Sequence, residues 1–258
     1  MFSCKKPRSV PWQFVMNEHN GKILVIIPAC NEEGRVGEVV RSVRKILPDA
    51  AILVIDDCST DGTRKDALAA GAAVVSHVVN LGYGAALVTG YLYAIKGDFQ
   101  IVLQMDGDGQ HLAQEIIKLL DPVLTGEADL TLGSRYLEGC GYTTSLLKRL
   151  GTRLFSLVFS LATGTRLSDP TSGFQCLGKK ALTLYTKAQF PADYPDVDVL
   201  LMSHYAGIKI TERSVRMEER GGGASIHSGL GPFYYLIKMC LSILMVLLGY
   251  RQWRKHVS

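Results

Sequence analysis

With 258 residues, 47% of them apolar and 20% charged, the chain has enough apolar surface for one large ordered domain or one and a half smaller ones, and it is not a disordered segment. The net charge of +4 is modest, and no dense Lys/Arg stripe is interleaved with aromatics, so nucleic acid is excluded as the expected partner. Six scattered cysteines (Cys4, Cys30, Cys58, Cys140, Cys176, Cys240) without a C-x-x-C pair imply neither a zinc site nor a disulfide framework, and they fit a reducing cytosolic setting.

Residues 1–21 hold Lys5, Lys6 and Arg8 with no continuous apolar stretch behind them, so an N-terminal tail is expected and a secretory signal is not. From residue 22 to about 133, short β-branched runs alternate with segments of helical spacing. Residues 23–27, 51–55, 73–77, 99–105 and 130–132 predict buried strands. Between them, 33–47, 62–70, 84–95 and 112–124 predict helices, with Pro48 and Gly71 as stops. This order implies a mostly parallel sheet covered on both faces, with ligands beyond the carboxyl ends of the strands. Further on, 174–177 predicts a strand and 197–205 a helix.

The polar motifs fall at the expected strand ends. In Gln104-Met-Asp106-Gly-Asp108-Gly-Gln110-His111 two carboxylates alternate, and a strand places residues i and i+2 on one face. Asp106 and Asp108 can thus converge on one hard cation, whose other positions go to water and substrate phosphates, which implies a diphosphate ligand. Asp-Gly-Asp-Gly is also ordinary turn chemistry, and Asn31, Ser59 and Asp61 are good helix caps. Caps do not explain Asp56 next to Asp57 at a buried strand end, where like charges repel unless a ligand or donors compensate.

Six segments then follow in one order: Pro28-Ala-Cys-Asn-Glu32, Asp56-Asp57-x-Ser-x-Asp-Gly-Thr63, Asn80-x-Gly-x-Gly84, Met105-Asp-x-Asp-x-Gln-His111, Gly133-Ser-Arg-Tyr136 and Ser172-Gly-Phe-Gln175. In this the chain resembles the family 2 inverting glycosyltransferases over about residues 22–226, in particular polyprenyl-phosphate enzymes such as dolichyl-phosphate mannose synthase. The resemblance implies a GT-A-like (Rossmann-like) α/β fold and a UDP- or GDP-sugar donor. It implies that Pro28, Glu32 and Asp57 hold the base and ribose, with Cys30, Gly82 and Asp106 completing the nucleotide site. Asp106, Asp108 and Gln110 match a Mg2+ or Mn2+ site. Arg135 and Arg220 match groups facing phosphates, and Lys148, Arg149, Arg153 and Ser225 fall among acceptor-phosphate contacts. Three departures stand out: Cys30 replaces an aromatic, Tyr83 a lysine, and Ile226 a lysine.

The implied reaction is displacement at the sugar's anomeric carbon with a nucleoside diphosphate leaving, in which Asp108 and Arg220 stabilise the developing charge. A lipid-phosphate acceptor needs no base; a glycan or glycolipid hydroxyl does, and Asp196 in Tyr194-Pro-Asp-Val-Asp198 is the candidate, with an N-cap as its competing role. His111 is expected near the metal, and His204 and His227 on the surface. Residues 229–250 are almost continuously apolar, broken by Lys238 and followed by Arg251, Arg254 and Lys255. A helix lying in the cytoplasmic membrane face is expected over a spanning one, with residues 227–258 as the membrane-associating tail and a core helix as the alternative. A non-catalytic nucleotide-sugar-binding scaffold is the reading of another class. A nucleotidyltransferase is disfavoured because no glycine- and lysine-rich loop follows the first strand.

Overall fold

The computed structural model describes residues 22–137, 146–187, 196–218 and 231–249. Strand β1 (Ile23–Ala29) is buried at every position, so it needs cover on both faces. Its alternate residues supply it: Leu24 and Ile26 enter one apolar core, Val25 and Ile27 the other. β2 (Ala51–Asp56) divides the same way, with Leu53 and Ile55 on one side and Ile52 and Val54 on the other.

Seven strands form one sheet in the order β3-β2-β1-β4-β6-β5-β7. β3 (Ala73–Ser76), β2, β1 and β4 (Ile101–Gln104) run parallel. β6 (Gln175–Gly178) is antiparallel to both β4 and β5 (Leu130–Ser134), and β5 pairs in parallel with β7 (Ile210–Ser214). One face is covered by α1 (Val36–Ile46), α2 (Thr63–Ala69) and α4 (Ile116–Leu124). The other carries α3 (Tyr83–Lys96), α5 (Leu146–Thr163), α6 (Lys179–Lys187), α7 (Val197–Tyr205) and α8 (Gly231–Leu248).

Successive strands step outward from β1 to β2 and β3, then return to β1's other side as β4. The crevice between the carboxyl ends of β1 and β4 is therefore a topological switch point. α3 lies close over it because Gly90 has no side chain: a Cβ there would sit 3.1 Å from Ile26 Cγ2 and 3.2 Å from Ile55 Cδ1.

Several expected boundaries shift for local reasons. β4 starts at Ile101 rather than 99, because Phe99 N donates to Ala94 O and closes the end of α3. α1 starts at Val36 rather than 33, because residues 31–34 are taken up in docking against the next motif loop. The expected helix over 112–124 opens as a 3-10 turn, Ala113–Glu115. β7 was not expected at all, since Ile-Thr-Glu-Arg-Ser is polar and half-buried throughout.

The apolar C-terminal run forms α8, which packs on α7 through Met239, Ile243 and Val246. Leu241, Leu244, Met245 and Leu248 lie exposed on its other side. Among the described residues no helix is long and apolar enough to cross a membrane.

Candidate active site

The first two motif loops hold each other. Asn31 N donates to Ser59 Oγ (3.0 Å), and Asn31 Oδ1 accepts Thr60 N (2.9 Å). Glu32 N donates to Thr63 Oγ1 (2.7 Å) and Glu33 N to Asp61 Oδ2 (3.1 Å), while Glu33 Oε2 accepts Gly62 N (3.0 Å). Asp66 Oδ2 accepts Gly34 N and Gly37 N (3.0 and 3.1 Å), so a residue from α2 satisfies the free amides at the start of α1. Ser59 thus serves the neighbouring loop, whereas Asp61 serves both: its Oδ2 takes Glu33 N and its Oδ1 accepts Thr63 N (2.9 Å), the first amide of α2, whose N-cap position itself is Gly62. Asn31 and Cys58 both adopt left-handed φ (56° and 60°), an uncommon conformation at the ends of β1 and β2.

The adjacent acids are compensated by protein donors. Asp56 accepts Ser59 N (3.0 Å) and Ser76 Oγ (2.9 Å). Asp57 Oδ1 accepts Leu81 N (2.9 Å) and pairs with His77 Nδ1 (2.7 Å), and its Oδ2 accepts Gly82 N (2.9 Å). Asp57 therefore shapes the third motif loop, where Gly82 takes φ 91° at the start of α3. Asn80 closes this corner, donating to Asp57 O (3.2 Å) and Cys30 Sγ (3.5 Å). Partial burial, with Asp57 and Asp56 nearby, pushes the exposed Cys30 thiol up, so it stays neutral. Glu32 is buried and its carboxylate pairs with Arg35.

The Asp-Gly-Asp loop lies directly against the first motif. A Cβ at Gly107 would come within 3.2 Å of both Ala29 Cβ and Pro28 O, so any side chain here would have to push the two loops apart by a few tenths of an ångström. Asp106 Oδ1 accepts the Tyr83 hydroxyl at 2.9 Å, and Asp106 N donates to His111 Nδ1 at 3.0 Å. Oδ2 lies 3.7 Å from His111 Nε2. His111 is buried and stacked on Phe174 at 4.7 Å; that burial, with Arg135 nearby, pulls its pKa down to about 4 and leaves it neutral. Asp108 Oδ1 accepts Gln110 N (3.0 Å). Gln110 in turn grips the following chain: its carbonyl accepts Glu218 N (2.9 Å) and its Nε2 donates to Glu218 O (3.3 Å).

Among the described residues no group of three His, Cys, Asp or Glu is placed to hold a metal. The protein donors at this corner are two half-buried carboxylates, Asp106 and Asp108, beside a neutral imidazole. That set does not cage an ion by itself. It fits a hard Mg2+ or Mn2+ whose remaining positions are filled by water and a diphosphate.

The other expected site residues divide. The Arg135 guanidinium has a protein partner: Nε and Nη2 donate to Asp169 at 2.7 and 2.8 Å, and Nη2 also reaches Thr171 Oγ1 (3.2 Å). Asp169 is fully buried, and Glu212 on β7 accepts its N–H (2.9 Å). Arg149 and Arg153 are exposed on α5, which opens two residues before Lys148. Asp196 occupies the N-cap position of α7, but its side chain makes no cap bond there. Asp198 does that work instead, accepting Val199 N (2.8 Å) and Asp196 N (3.1 Å) and also pairing with Ser242 of α8. Arg220, Ser225, Ile226 and His227 lie outside the described residues. His204 is half-buried on α7, edge-on to Phe159. Sequence reasoning read residues 169–174 as a polar stretch that could shape the acceptor pocket or only turn into the next strand, without finding Arg135 as the partner of Asp169. It missed Gln104, His77 and Glu212, whose side-chain partners lie at least 12 residues away and leave no local pattern.

The sheet order and the crevice between β1 and β4 are those of a GT-A-like α/β fold. The chain belongs to glycosyl transferase family 2, whose family model matches residues 24–182. It is 31% identical over 217 residues to polyprenol monophosphomannose synthase of Mycolicibacterium smegmatis, covering 81% of this chain and 82% of the relative. Undecaprenyl-phosphate mannosyltransferase of Micrococcus luteus is 29% identical over 218 residues, covering 81% and 88%. Among solved structures, glucosyl-3-phosphoglycerate synthase of Mycobacterium tuberculosis with Mn2+ and uridine-diphosphate-glucose superposes with TM-score 0.70 at 22% identity, covering 95% of this chain and 85% of that one.

Proposed function

We propose that the protein transfers a sugar, with inversion, from a UDP- or GDP-sugar to a polyprenyl phosphate. The observation that carries this reading is the position of two half-buried acids, Asp106 and Asp108, in the loop after β4 at the β1/β4 switch point, with the first motif packed against the Gly107 between them. The names of the Mycolicibacterium and Micrococcus relatives support the acceptor class. Asp106 and Asp108 would hold a divalent cation, Mg2+ or Mn2+, which would supply positive charge to the donor diphosphate. An acceptor phosphate oxygen forms the new bond to the anomeric carbon as the bond to the diphosphate breaks, and the electron pair leaves on the diphosphate. A phosphate acceptor is already an anion, so this transfer needs no base. Arg220 joins the phosphate contacts; the described chain before it ends at Glu218, bound to Gln110 beside Asp108.

We place the catalytic domain at residues 22–226 and the membrane-associating tail at 227–258, acting at the cytoplasmic face. Two features support the membrane assignment. Leu150, Leu154, Leu157 and Leu161 form an exposed stripe on α5 beside Arg149 and Arg153, and α8 exposes Leu241, Leu244, Met245 and Leu248. Leucine faces flanked by basic residues suit an anionic bilayer surface.

The test is incubation of the full chain with labelled nucleotide sugars and polyprenyl phosphate, followed by lipid extraction. A mild-acid-labile lipid product that is lost in Asp108→Ala supports the assignment. Label appearing only on a hydroxyl acceptor, with turnover lost in Asp196→Asn, refutes it in favour of glycan or glycolipid synthesis. Binding without any turnover leaves the scaffold reading.

A further inference from the structure

Asp106 is held from three sides, and one of those contacts runs deep into the core. Tyr91, fully buried in the centre of α3, donates its hydroxyl to Gln104 Oε1. Gln104, itself 2% exposed at the end of β4, donates its Nε2 to the Tyr83 hydroxyl oxygen at 3.2 Å. With that oxygen already accepting, the Tyr83 proton points to Asp106 Oδ1 at 2.9 Å. The three bonds thus have one direction, from the core to the carboxylate. Gly173 closes the other side: a Cβ there would lie 2.8 Å from the Tyr83 hydroxyl and 3.4 Å from Asp106 Oδ2. The donor to this acid is an uncharged phenol.

We propose that Tyr83 is a positioning residue for the cation site: with Gln104 and Tyr91 behind it, its hydroxyl holds the Asp106 carboxylate in one orientation for the divalent ion that carries the donor diphosphate. This rests on the reading of Asp106 as a cation ligand. Partners behind a metal ligand fix its orientation, and losing one typically costs about 10- to 100-fold in metal affinity. A lysine at this position would instead place a positive charge against the same acid and oppose the cation.

The experiment is Mn2+ titration of the full chain with UDP present, reading free Mn2+ by electron paramagnetic resonance, alongside metal-free thermal melting. Tyr83→Phe is expected to weaken Mn2+ binding about tenfold while leaving the metal-free melting temperature within a few degrees of wild type. Tyr83→Lys should weaken Mn2+ binding at least as much, and Tyr91→Phe, which cuts the chain further back, should weaken it less. Mn2+ binding within twofold of wild type in both Tyr83 variants overturns the proposal. The same result with Asp106→Asn also neutral removes the cation reading itself; Asp106→Asn losing Mn2+ while Tyr83→Phe keeps it removes this inference alone.

Discussion

The Arg135 guanidinium can serve the fold or a phosphate, and removing it separates the two. Arg135→Met keeps the apolar stem and deletes two hydrogen bonds, 2.7 and 2.8 Å, to a carboxylate with no solvent exposure. Asp169 would retain the Arg135 backbone N–H at 3.0 Å and the Thr171 hydroxyl at 3.3 Å. Those two neutral donors do not replace a charge, and breaking a buried pair this way costs about 3–5 kcal/mol. Asp169→Asn should cost less, about 1–3 kcal/mol, because the Arg135 side chain is 21% exposed and can turn toward water. Urea unfolding followed by far-UV circular dichroism gives both values, and the double variant gives their coupling. If Arg135→Met unfolds within about 0.5 kcal/mol of wild type while the donor or acceptor KM rises, the pair is not structural and the guanidinium belongs to a substrate phosphate.

Two further outcomes can be read from stability alone. Asp66→Ala removes the acceptor for Gly34 N and Gly37 N, and should destabilise the protein by about 1–2 kcal/mol in urea unfolding, the usual cost of losing a helix cap. Asp198 is held above the ordinary carboxylate range chiefly by burial, against the hydrogen bond from Ser242. The folded state therefore binds more protons than the unfolded one just above the unfolded carboxylate pKa, so this group's contribution is fully present below that pKa and is lost as pH rises through its folded value. Asp198→Asn cannot ionise and keeps an oxygen for Val199 N and Asp196 N. Its unfolding free energy relative to wild type should rise between pH 4 and 7, and a flat or falling difference contradicts the assignment.

What was legible in the sequence followed from local physics. β1 and β2 were readable because apolar residues on both faces have no other stable location than the middle of a covered sheet. The four motif loops were readable as a rim because strand-helix alternation places them all at one end. The direction of β6 was not, since a short buried strand looks the same whichever way it runs. β7 was hidden because Glu212 and Arg213 sit within it, and their reasons for being there are Asp169 and Glu127 on other elements. The paired acids Asp56 and Asp57 pointed to a need for compensation without revealing its source, which lies in Ser59, Ser76, His77 and the amides of Leu81 and Gly82. The Tyr83–Asp106 contact spans 23 residues and no periodicity announces it.

The reciprocal bonds between residues 31–37 and 59–66 make the two segments a single mechanical part, although 21 residues separate their nearest ends. Anyone seeking to alter donor choice by transplanting a loop from a related enzyme would have to move both segments together. A lone graft would strand amides and carboxylates whose mates stayed behind, and the recipient would lose folding stability for reasons unrelated to donor preference.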